Sequence, residues 1–131
     1  IEAPLILGAG FLGGRIDHAL AAMHALLRFR HRRAVLAGED DVAFLAPLRW
    51  RARLAPGARV SIFPLVPVTA LASEGLVWPL EGLPLAPGAT IGTSNRAAAA
   101  EVAVAFDRPG ALILLAPEHL ESALASLPDQ D

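Results

Sequence analysis

The sequence predicts two parts of different class: an α/β tail over residues 1–46, then an all-β sandwich over residues 48–117, with residues 118–131 as a short C-terminal helix or tail. Three observations carry this. An apolar run stopped by glycine is followed by a segment with helical spacing. Beyond residue 46 the texture changes to short β-type runs. Turn residues separate those runs about every ten positions, as in sandwiches and barrels.

The elements follow in order. Pro4-Leu5-Ile6-Leu7 is short, apolar and ended by Gly8, which reads as a buried strand. Apolar residues at 16, 19, 20, 23, 26 and 27 then predict a helix from Arg15 to Phe29. Arg28, Arg30, Arg32 and Arg33 crowd its end, where cations complement the helix dipole. Ala34–Ala37 and Val42–Leu45 read as strands on either side of an acidic turn, Glu39-Asp40-Asp41. Proline and glycine then punctuate six further β-type runs: Trp50–Leu54, Arg59–Phe63, Val68–Ala72, Gly75–Leu80, Glu101–Phe106 and Ala111–Leu115. Pro117–Leu127 closes the chain as a short helix with Leu120, Ala123, Leu124 and Leu127 on one side.

Composition bounds the function. At 131 residues and 54% hydrophobic content the chain can bury a real core. With no cysteine, disulfides and thiolate metal sites are excluded. A net charge of −2 offers no general attraction to nucleic acid, and no apolar run approaches the ~18 residues of a membrane span. Ile1 through Pro4 lack the basic start of a signal peptide, and a cytoplasmic location is expected. The chain opens at Ile1, without methionine, and enters a strand almost at once. An N-terminal portion is therefore expected upstream.

The stretch Ile6-Leu7-Gly8-Ala9-Gly10-Phe11-Leu12-Gly13-Gly14-Arg15-Ile16-Asp17-His18 holds the first candidate chemistry. Gly8, Gly10 and Gly13 fit G-x-G-x-x-G, but a dinucleotide site also needs further strand–helix–strand units, which do not follow. Arg15 and Asp17 point elsewhere. Glycines let phosphate oxygens approach the backbone, a helix start offers unpaired N–H groups, and arginine binds phosphate bidentately. A carboxylate two residues on suits Mg²⁺, a hard ion that takes oxygen ligands. The plain alternative is a strand–helix turn with an aspartate favoured by the dipole. His18 reads as a helix-start residue. Trp78 alone would pack in a sandwich core, and Ser94-Asn95 alone would be a turn.

Gly13-Gly14-Arg15-Ile16-Asp17-His18 resembles the GGRxDH signature of thiamine pyrophosphokinases. Gly75-Leu76-Val77-Trp78-Pro79-Leu80 is similar to that family's GLxWPL segment, and Thr93-Ser94-Asn95 to its SN segment, in the same order. The resemblance spans about residues 5 to 116. It implies that the α/β tail is the last strands and helix of a Rossmann-like catalytic domain, and that the sandwich binds thiamine. It further implies transfer of a pyrophosphoryl group from ATP to thiamine with Mg²⁺, in a homodimer whose thiamine site lies between subunits. By position, Gly13, Gly14 and Arg15 would meet the ATP phosphates, and Arg15 and Asp17 would be catalytic, Asp17 as a metal ligand. Trp78, Ser94 and Asn95 would hold thiamine. Arg96 departs from the glutamate that many members carry after Ser-Asn. The family's other acidic motifs would lie upstream of Ile1, so residues 1–131 alone are expected to be inactive. A non-catalytic ligand-binding or dimerisation module, and a nicotinamide- or flavin-dependent oxidoreductase, are the alternatives.

Overall fold

The computed structural model describes residues 5–128. Ten strands make two sheets: β1 Ile6–Ala9, β2 Ala34–Ala37, β3 Val42–Leu45, β4 Arg49–Arg53, β5 Arg59–Pro64, β6 Val68–Glu74, β7 Leu83–Leu85, β8 Gly92–Arg96, β9 Glu101–Phe106 and β10 Ala111–Leu115. The helices are α1, Ile16–Arg28, and α2, Leu120–Ser126, the latter preceded by a 3₁₀ turn at Pro117–His119. A six-stranded sheet runs β1-β2-β3-β10-β5-β8, and a four-stranded sheet runs β4-β9-β6-β7.

The inner faces of the two sheets share one core. Val60, Ile62 and Ile113 from the larger sheet and Trp50, Val102, Val104 and Ala70 from the smaller one belong to a single buried cluster. Alternation builds it, because side chains of a strand point to opposite faces in turn. Val42 and Phe44 face this core, while Ala43 and Leu45 face a second cluster on the other side, which includes Leu26 of α1. The middle of the larger sheet is therefore covered on both faces, and its strands β3 and β10 are apolar at every position, whereas the edge strand β1, expected to be buried, leaves Ile6 and Leu7 exposed. The smaller sheet is open on one face, so β4 alternates exposed Arg49, Arg51 and Arg53 with buried Trp50 and Ala52.

The chain is thus mostly β, with two helices among the described residues. β1 and β2 pair in parallel with α1 between them, and β3 joins the sheet antiparallel to both β2 and β10.

Several expectations need correction. The first strand runs from Ile6 to Ala9, two residues later than the apolar run suggests, because its pairing with β2 continues through Gly8 to Ala9↔Ala37. Pro4, the expected start, lies outside the described residues. The segment Gly75–Leu80 is a loop; it makes one isolated bridge, Leu76↔Ala97. Gly75 adopts φ +76, and a Cβ there would collide with the Glu101 carbonyl oxygen, so the chain turns sharply out of β6. β7 and β8 lie where no strand is expected. Pro84 is tolerated because β7 is a sheet edge, and the polar Gly-Thr-Ser-Asn-Arg of β8 likewise occupies an edge. The closing helix is shortened to Leu120–Ser126 by its 3₁₀ start at Pro117.

Candidate functional site

At the β8 edge, Asn95 is 4% exposed, one of two buried polar residues among those described. A buried amide must be hydrogen-bonded, and this one is. Its Oδ1 accepts the Trp78 N–H at 3.1 Å and the Arg96 N–H at 2.8 Å, while Nδ2 donates to the Trp78 carbonyl at 2.8 Å. Backbone bonds from Val77 N–H to the Arg96 carbonyl and from Ala98 N–H to the Gly75 carbonyl complete the seam. The 75–80 loop is therefore laid along β8, with the Trp78 main chain clasped on both sides.

The consequence is the exposure of Trp78. Its side chain is 56% exposed, beside exposed Val77, whereas the other tryptophan, Trp50, is 1% exposed and packs on Phe44. An indole on a held main chain and open to solvent offers its face to a flat or cationic ligand. Ser94, also exposed, sits next to Asn95 with φ +64, a left-handed position unusual for a residue with a side chain. Trp78, Ser94 and Asn95 thus lie together.

The glycine turn stands elsewhere. Gly10, Gly13 and Gly14 have positive φ, and a Cβ at Gly13 or Gly14 would meet nothing within 4 Å. Their backbone borders a cavity of about 490 Å³ whose far wall is Gly38, Glu39, Asp40 and Asp41. Arg15 caps the start of α1 in extended conformation without a side-chain cap bond. Its Nε donates to Asp17 Oδ1 at 3.1 Å and an Nη to Oδ2 at 2.6 Å, a bidentate pair with both side chains largely exposed. Such a pair contributes little to stability. It does hold the guanidinium fork in one orientation, with three of its five N–H groups not used by Asp17. Among the described residues no three His, Cys, Asp or Glu side chains converge on a metal position. Asp17 supplies one hard oxygen donor, which fits the habit of Mg²⁺ to bind through one or two carboxylates with phosphates and water.

These two groups of residues are not brought together within one chain. β1, which leads into the glycine turn, is one edge of the six-stranded sheet, and β8, which carries Ser94 and Asn95, is the other. Five inter-strand steps at ~4.8 Å place those edges roughly 24 Å apart.

Ser61 is a residue that sequence reasoning missed: it is 6% exposed and its Oγ accepts the Ser94 N–H at 2.9 Å. A hydroxyl inside the otherwise apolar run Val60-Ser61-Ile62-Phe63 was the available signal.

The family model "Thiamin pyrophosphokinase, vitamin B1 binding domain" matches residues 48–110, the span that contains Ser61, Trp78, Ser94 and Asn95. The chain is 34% identical over 97 residues to thiamine pyrophosphokinase 1 of Oryza sativa subsp. japonica, covering 70% of this chain and 36% of that protein. It is 30% identical over 108 residues to thiamine pyrophosphokinase 1 of Arabidopsis thaliana, covering 78% of this chain and 40% of that protein. It therefore spans well under half the length of these relatives. In fold it matches thiamin pyrophosphokinase from Geobacillus thermodenitrificans at TM-score 0.74 and 23% identity, over 87% of this chain and 54% of that one. The enzyme from Candida albicans matches at TM-score 0.76 and 14% identity, over 86% of this chain and 45% of that one. Matched by the vitamin B1 binding domain over residues 48–110, by relatives at 30–34% identity, and in fold over most of its length, the chain belongs to the thiamine pyrophosphokinase family.

Proposed function

We propose that this chain is the C-terminal part of a thiamine pyrophosphokinase that transfers a pyrophosphoryl group from ATP to the thiamine hydroxyl. The hydroxyl oxygen attacks the β-phosphorus, the bond from that phosphorus to the α,β-bridging oxygen breaks, and AMP leaves with that oxygen. The hydroxyl proton passes to solvent. Such transfers depend on positioning and on neutralising oxygen charge. The observation that carries the reading is the clasped, exposed Trp78 beside Ser94, inside the span matched by the vitamin B1 binding domain.

Trp78 stacks on the aminopyrimidine or lies against the cationic thiazolium, Ser94 offers its hydroxyl, and Asn95 holds the Trp78 loop. Gly13 and Gly14 admit the ATP phosphates to the backbone, and Arg15, oriented by Asp17, presents its remaining N–H groups to them. Asp17 is the residue of this chain that would hold Mg²⁺, which when bound neutralises phosphate charge. The roughly 24 Å between the phosphate edge and the thiamine edge supports a homodimer in which one subunit's β8 edge faces its partner's glycine turn. On this reading further metal ligands lie in the protein outside residues 1–131, and those residues alone are expected to be inactive. A cytoplasmic location goes with this reading.

Two measurements test it. The intact protein should release AMP from Mg-ATP only when thiamine is present, and calorimetry should show thiamine binding. Thiamine binding without AMP release would favour a non-catalytic binding module; no thiamine binding would refute the proposal.

A further inference from the structure

The bend in β8 holds a serine where glycine usually sits. Pairing passes from Val60↔Asn95 to Ile62↔Gly92, so Ser61 alone on β5 faces two residues, Thr93 and Ser94, on β8. Two residues against one make a β-bulge, a device that re-aims side chains and recurs beside active sites. Here it makes Thr93 and Ser94 both exposed and turns Asn95 inward. In bulges that place a residue in the left-handed region, glycine is the ordinary occupant. Ser94 takes it at φ +64 with a side chain attached, and an outlier of this kind needs surrounding structure to impose it. The imposing contact is on β5: Ser61 Oγ accepts the Ser94 N–H at 2.9 Å. Gly92 helps on the other side of the bulge, since a Cβ there would lie 3.1 Å from the Ile62 carbonyl oxygen.

We propose that Ser61 is a positioning residue for the thiamine half of the site. It touches no ligand. Its hydroxyl pins the bulge; the bulge points the Ser94 hydroxyl outward and Asn95 inward; Asn95 then clasps the Trp78 main chain. This rests on the reading of the Trp78 edge as the thiamine site.

The test uses the intact protein. Ser61→Ala is expected to raise the thiamine Kd about tenfold, a loss of ~1.4 kcal/mol, and to leave ATP affinity within about twofold. Ser94→Gly relaxes the left-handed strain, so the bulge no longer needs its brace. In that background Ser61→Ala should therefore cost less than about twofold in thiamine affinity, a non-additive pair. Ser61→Cys, which keeps the size but accepts weakly, should shift thiamine affinity in the same direction by less and guards against a variant that fails to fold. Equal losses from Ser61→Ala in both backgrounds would overturn the proposal. So would a Ser61→Ala or Ser61→Cys protein that melts earlier yet binds thiamine like the wild type. If the wild type itself bound no thiamine, the functional reading would fall together with this one.

Discussion

On the proposed function, Asn95 couples stability to thiamine binding through the Trp78 main chain. Asn95→Ala removes three hydrogen bonds at once: two accepted by Oδ1, from the Trp78 and Arg96 N–H groups, and one donated by Nδ2 to the Trp78 carbonyl. At a net ~1 kcal/mol each the loss is about 3 kcal/mol. The released groups lie at a part-buried edge, where water can re-pair some of them, so the expected range is about 2–4 kcal/mol. Urea denaturation of the intact protein should show a lower midpoint at an unchanged m-value. Because the lost bonds hold the Trp78 main chain, thiamine affinity should fall about tenfold as well, while ATP affinity stays near the wild-type value. Truncating the Trp78 side chain leaves these main-chain bonds in place. In a Trp78→Ala background Asn95→Ala should therefore cost the same stability but little further thiamine affinity. A stability change under ~0.5 kcal/mol with unaltered thiamine binding would refute the clasp. Fully additive thiamine losses would instead mean that Asn95 contacts the ligand itself.

Three further outcomes are expected. Arg15→Ala and Asp17→Asn in the intact enzyme should each lower kcat/KM by about 10²-fold, roughly 3 kcal/mol, with Asp17→Asn also shifting the Mg²⁺ dependence; unchanged turnover with a lowered Tm would leave the pair structural. Trp78→Ala should weaken thiamine by about 3- to 30-fold, Trp78→Phe by less, and neither should change Tm greatly, because the indole is exposed; a loss of about 3–5 kcal/mol of stability would mark a packing role. The Thr69 N–H donates to Asp107 Oδ1 at 2.7 Å and, with nearby Arg108, holds that carboxyl below the usual aspartate range. A depressed folded-state pKa stabilises above the unfolded value of about 3.9, and the gain is lost as pH falls through the folded value. Asp107→Asn should therefore lower Tm at pH 7 and flatten its fall in acid; a parallel acid profile would show that Asp107 contributes nothing.

The sequence by itself determined the strands whose neighbours demand an apolar pattern. Ala34–Ala37, Val42–Leu45, Glu101–Phe106 and Ala111–Leu115 are found at the expected residues, because both alternation and continuous burial leave a local imprint. The helix from residue 16 is legible for the same reason: its apolar stripe is a local period. The three strings that resemble thiamine pyrophosphokinase signatures are legible too, since each is contiguous. Tertiary structure decided where those strings sit. β8 is a strand of Gly, Thr, Ser, Asn and Arg, poor strand formers apart from threonine, held by its pairing with β5, more than thirty residues earlier in the sequence. Gly75–Leu80 has strand-like composition yet is a loop, because the Asn95 amide takes the Trp78 backbone groups that a ladder would have used. Whether Asn95 faces inward follows from one extra residue in a bulge, since a shift of one residue exchanges the two faces of a strand. The placing of Arg15 and Trp78 at opposite edges of one sheet is likewise a matter of strand order, which arises from pairings between residues far apart in the chain and leaves no period in the local sequence.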